Sequence, residues 1–186
     1  MKRIIGKLLI LVGALIIGSV IYINHRTINI NQAFINEYKE SIKNIDARKD
    51  EYQTGDIIGV LSIPKIDLEV AIKRGITNEI LKDSVGHFEN TAMPGEYGNF
   101  SVAGHRAYTS NKFFSNLDKV EIGDEINVLS EGKTFKYIVD SIDVVTPNKV
   151  EVVDSTDSSK KEITLVTCTP KYVGSHRLIV KGLCID

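Results

Sequence analysis

The chain has 186 residues, enough for one domain plus an attachment, since single domains usually run about 100 to 200 residues. With 23 Lys and Arg against 24 Asp and Glu, the formal net charge is -1. That balance excludes a large basic surface for nucleic acid and an acidic solvated tail.

The first element in the chain is apolar. IIGKLLILVGALIIGSVIYI (4–23) is interrupted only by Lys7 and Ser19, and about 20 such residues cross the hydrocarbon core of a bilayer. Lys2, Arg3 and Lys7 cluster on its N-terminal flank, which by the positive-inside rule predicts a cytoplasmic N-terminus and an extracellular remainder. No A-x-A-like cleavage site follows, so residues 1–23 read as an uncleaved signal-anchor in contact with the lipid bilayer.

Residues 24–55 turn polar and helix-forming, with Phe34, Ile35, Tyr38, Ile42 and Ile45 spaced near three and four. This predicts an amphipathic helix and then a linker, either packed on the main domain or standing as a solvated stalk.

Residues 56–186 are β-rich. Seven strands are expected at 57–63, 67–73, 99–104, 125–130, 134–145, 162–168 and 177–184, separated by Pro and Gly turn signals. Two short helical stretches, 77–85 and 111–120, are too few for alternating βαβ units. A mainly β, largely antiparallel barrel or sandwich follows.

Two cysteines lie near the C-terminus, Cys168 in TLVTCTP and Cys184 in KGLC. Pro170 ends the first of the last two strands, because proline cannot donate a ladder hydrogen bond. If these strands form an antiparallel hairpin centred near Val173, Cys168 comes opposite Arg177. The same register puts Cys184 seven residues further along, about 23 Å away at the usual strand rise. A disulfide needs Cα atoms closer than about 7 Å, so Cys168 is predicted to be a free thiol beside a fixed cation.

A cysteine nucleophile needs an imidazole to share and return its proton. His25 lies at the membrane exit, and His176 points away from its neighbour Arg177 on a strand. His87, after a helix, could cap or fill a turn. His105, in NFSVAGHRAYTS, stands where a strand breaks into a loop, and the chemistry favours it. Its neighbour Arg106 is expected to point the other way and to matter less than Arg177.

These residues resemble the sortase family. TLVTCTP is similar to the TLxTC signature, Arg177 follows after eight residues, MPGEYGNFSVAGHR (93–106) resembles the segment carrying the family's histidine, and SIPKIDLEVAI (62–72) resembles its opening strands. The resemblance covers about 59 to 184, leaves 24–55 unmatched and is most like class D, with class E as the rival. It implies an eight-stranded β-barrel, the extra strand being expected near HFENT (87–91). It also implies a membrane-bound cysteine transpeptidase that cleaves an LPxTG-like C-terminal sorting signal of secreted proteins and passes them to an amine of the cell wall or a pilin.

Carried over by position, Cys168 is the nucleophile, His105 the acid/base and Arg177 the oxyanion-stabilising cation. Thr167, Val166 and Ala103 match positions lining the substrate. No cofactor is expected. Zinc lacks C-x2-C or H-x3-H spacing, and calcium stimulation, known in some sortases, would fall to Glu151, Asp154 and Asp157. Another cysteine peptidase is the rival enzyme, although no CGxCW-like or S-H-G-C setting is present. The non-enzyme alternative is an anchored β-domain for adhesion or ligand binding, which predicts an unreactive Cys168.

Overall fold

The computed structural model of the chain describes residues 2–43, 52–106 and 113–185. A single helix, α1 (Lys2–Ser41), runs through the apolar segment and on into the polar one. No glycine or proline lies between Ser19 and Ser41 to interrupt it. Its first half is long and apolar enough to cross a membrane, and that stretch is wholly unburied.

From Thr27 onward, burial returns every three or four residues, and the helix packs on the main domain. Ile35 and Tyr38 form a small core with Val60 and Ala71. Asn31 clamps a strand edge, accepting from Ala71 N at 3.0 Å and donating to Glu69 O at 3.0 Å. The Tyr38 hydroxyl donates to Ile58 O at 3.1 Å and accepts from Glu131 N at 2.8 Å. Lys73 sits over the Phe34 ring at 3.6 Å, and Lys39 pairs with Glu69 at 2.8 Å.

The main domain is a closed barrel of eight strands: β1 (Ile57–Ile63), β2 (Leu68–Arg74), β3 (Val85–His87), β4 (Gly98–Ala103), β5 (Glu125–Ser130), β6 (Lys133–Val145), β7 (Lys161–Thr169) and β8 (His176–Cys184). Around the barrel they run β1-β2-β3-β4-β7-β8-β6-β5, and β5 closes on β1. Closure leaves no sheet edge to aggregate. Pairing is antiparallel except β2 with β3 and β4 with β7. The interior is filled by Phe100, Val102, Phe114, Leu117, Tyr137, Ile163, Leu165 and Val180.

The extra strand lies at Val85–His87 and not at 87–91. Thr91 closes a turn on Phe88 O, with its amide at 2.9 Å and its hydroxyl at 2.7 Å, so that segment bends out of the sheet. The strand is only three residues long and follows directly on α2 (Asn78–Asp83), capped by Thr77, so the sequence pattern reads it as the helix end. A Cβ on Gly86 would collide with Gly75 O, which explains the glycine where β2 and β3 come together. Of the second helical stretch, a 3-10 helix forms at Phe114–Lys119, while residues 111 and 112 lie outside the described residues.

Candidate active site

Strands β4 and β7 run side by side in register, Ser101 with Thr164 and Ala103 with Val166. Side chains alternate along β7, so Ile163 and Leu165 enter the core while Thr164, Val166 and Cys168 share the outer face. The β6–β7 connection folds against this face. Asn99 donates to Val153 O at 2.9 Å, Ser101 donates to the same oxygen at 2.9 Å, and Thr164 donates to Asn99 Oδ1 at 3.0 Å. The connection thus covers the Asn99, Ser101 and Thr164 end of this face, while Ala103, Val166 and Cys168 beyond it are half-buried.

Cys168 and Arg177 are register partners in the β7–β8 hairpin, as the hairpin argument predicted. Both cysteines are free and half-buried. Cys184 pairs with Tyr137 on β6 at the far end of β8 and packs against the core. The β7–β8 turn is tight, with Val173 N and Gly174 N both donating to Pro170 O, at 3.1 and 2.9 Å. It brings Gly174 O and His176 O to 3.1 and 3.0 Å from Arg177 Nη1. Gly174 in turn lies against Cys168, since a Cβ there would stand 3.7 Å from the cysteine Cβ. The guanidinium is thus tethered beside the thiol by backbone carbonyls, with donors left over for a developing negative charge.

His105 stands two residues past Ala103, as Cys168 stands two past Val166, so both lie beyond the last β4–β7 pair at the same end of the two strands. The strand end is held there by two bonds. Gly104 N donates to Val166 O at 3.1 Å, and the Thr167 hydroxyl donates to Gly104 O at 2.7 Å. A Cβ on Gly104 would fall 2.5 Å from the Phe114 ring, so only glycine lets the strand turn outward over that buried aromatic. The His105 side chain is exposed.

The other histidines lie elsewhere. His87 is buried against Phe100, its Nε2 held by Ala92 O at 3.1 Å and the Thr91 hydroxyl at 3.0 Å, and burial pushes its pKa below the usual histidine range. His176 is exposed with Ser175 Oγ at 2.9 Å from Nδ1, and His25 is on α1.

Val166 and Ala103 face each other across β4 and β7 on the outer face, both half-buried. Thr167 points into the barrel, away from Cys168, and its hydroxyl is committed to Gly104 O. Among the described residues no three acidic, histidine or cysteine side chains gather to hold a metal ion. Asp157 instead accepts from Ser159 N and Oγ, at 2.9 and 2.6 Å, and those bonds hold its carboxyl below the usual range. The Asp157 carboxylate is thus engaged within its own turn.

The sequence reading missed Arg106. As expected it points away from His105, but inward, where it reaches Asp118 at 2.7 Å and Thr169 Oγ1 at 3.1 Å. The adjacent GHR letters give no sign of that burial.

The Sortase domain family model matches residues 61–184. Sortase SrtE1 of Streptomyces coelicolor is 34% identical over 204 aligned residues, covering 100% of this chain and 57% of that protein. A sortase D5 transpeptidase of Clostridium perfringens superposes with a TM-score of 0.76 at 37% identity, covering 85% of this chain and 99% of that one. Sortase C of C. perfringens, solved with the C-terminal cell wall sorting motif, gives a TM-score of 0.67 at 28% identity, covering 88% and 91%.

Proposed function

The chain belongs to the sortase family, and on that premise we propose that it is a membrane-anchored class D sortase. It cleaves an LPxTG-like sorting signal between Thr and Gly and transfers the protein to an amine of the cell wall or a pilin. One observation carries this reading: a free, half-buried thiol at the end of β7, paired in register with a tethered arginine, at the same end of the barrel as an exposed histidine that follows β4. The spelling TLVTCTP and the likeness to the D5 enzyme support class D. The basic N-terminal flank of α1 supports an N-in orientation with the barrel outside.

The chemistry runs in two halves. The Cys168 thiolate attacks the threonine carbonyl, and the tetrahedral oxyanion is met by the Arg177 guanidinium in a charge-assisted hydrogen bond. As the C–N bond breaks, protonated His105 gives its proton to the departing glycine amine, leaving a thioester on Cys168. The acceptor amine then attacks the thioester, neutral His105 takes its proton, and the thiolate leaves. Val166 and Ala103 offer an apolar floor to the peptide, and Thr167 acts from behind by holding the β4 end.

The full chain in detergent micelles, incubated with peptides varied around LPATG, should show a mass increase on Cys168 equal to the N-terminal fragment. Cys184→Ala should keep that adduct and Cys168→Ala should lose it. Turnover at the wild-type rate by Cys168→Ala would overturn the assignment.

A further inference from the structure

The guanidinium of Arg106 is 5% exposed although its partner Asp118 is 50% exposed. Nη2 lies 2.7 Å from Asp118 Oδ2, on the 3-10 helix after β4. Nη1 points the opposite way, donating to Thr169 Oγ1 at 3.1 Å and reaching Cys168 O at 3.5 Å. Arg106 also forms an isolated antiparallel bridge with Phe113, where the chain returns to that 3-10 helix. One planar fork therefore joins three pieces of chain: the segment leaving β4, the helix that follows, and the end of β7 that carries the thiol.

His105 sits inside this arrangement. The residue before it is tied to Val166 and Thr167, and the residue after it is tied to Cys168 and Thr169. Its backbone is thus bracketed by bonds to the residues on both sides of the cysteine. Burying a guanidinium is costly unless it is paired, and a lysine, as a point charge, cannot serve two acceptors on opposite sides.

We infer that Arg106, with Asp118 as counter-ion, is a positioning residue that sets the separation between the His105 imidazole and the Cys168 thiol. This rests on the reading of those two as acid/base and nucleophile. Arg106 touches no reacting atom. It fixes the chain on either side of His105, and a misplacement of about 1 Å costs on the order of a hundredfold in rate.

The test measures cleavage of a fluorophore–quencher LPATG peptide by the full chain in micelles. Arg106→Lys should lower kcat about 10- to 100-fold, change KM less than about threefold, and leave Cys168 alkylated by iodoacetamide. A double-mutant cycle with His105→Ala separates positioning from general support, because residues acting through one another are not additive. His105→Ala should cost far less in the Arg106→Lys background than in the wild type. Additive losses, or Arg106→Lys activity within twofold of wild type, would overturn the inference.

If Arg106→Lys does not fold, Asp118→Asn and Thr169→Val each remove one end of the clamp, and both at wild-type rate would overturn it equally. Wild-type turnover by Cys168→Ala or His105→Ala would instead refute the underlying assignment, so the two failures are distinguishable.

Discussion

The docking of α1 on the barrel is open to a quantitative test. Two part-buried amides of the barrel donate to helix side chains: Ala71 N to Asn31 Oδ1 and Glu131 N to the Tyr38 hydroxyl. Removing a partner from a buried donor costs about 1–3 kcal/mol, which is roughly a 5- to 150-fold change in an opening equilibrium. The burial of Ile35 and Tyr38 adds about 1.5–3 kcal/mol each. When the dock opens, the helix detaches while the barrel stays closed, because the barrel's own ladders do not pass through α1. Site-resolved amide exchange on the full chain reads this directly. Asn31→Ala should speed exchange at Ala71, and Tyr38→Phe at Glu131, each by that factor. The core amides of Leu165 and Phe100 should keep wild-type protection. Unchanged exchange at both Ala71 and Glu131, or equal acceleration at Leu165, would refute the reasoning.

Arg177→Lys should lower kcat about 10²- to 10³-fold, the usual cost of removing an oxyanion donor, because an ammonium is a point charge without the planar fork that bonds the Gly174 and His176 carbonyls on one side and offers donors on another; steady-state kinetics checks it. The pH profile of kcat/KM should be bell-shaped, with one limb from Cys168 and one from His105, and a flat profile from about pH 5 to 10 would contradict the pair. Burial lowers the pKa of folded His87, so the unfolded chain, titrating near about 6.5, takes up the proton first. Stability should therefore be full above that pH, decline as pH falls towards the folded value, and level off below it. Urea titrations at several pH values should show a smaller acid loss in His87→Gln. EDTA should leave peptide cleavage unchanged, since the loop acids do not converge; a loss restored by calcium would refute that.

Local pattern alone determined the apolar N-terminal helix, seven of the strands and the register of the last hairpin. Cys168 and Arg177 are joined by one short turn, so counting residues from its centre placed them opposite each other. The continuity of α1 was also latent in the sequence, in the absence of a breaker after Ser19, although its docking was not. Whether Ile35 and Tyr38 meet water or Val60 and Ala71 depends on strands that come later in the chain.

Tertiary structure decided what lies between distant segments. The parallel pairing of β4 with β7 joins residues more than sixty apart, such as Arg106 and Cys168, 62 residues apart, and no periodicity encodes which two strands will be neighbours. That pairing brings the chain after Ala103, with His105, to the end of β7 that carries Cys168, where Arg106 turns inward to Asp118 and Thr169. Side-chain alternation can be read along a strand. The partner across a barrel is selected by the packing of the whole core, and only the folded chain specifies it.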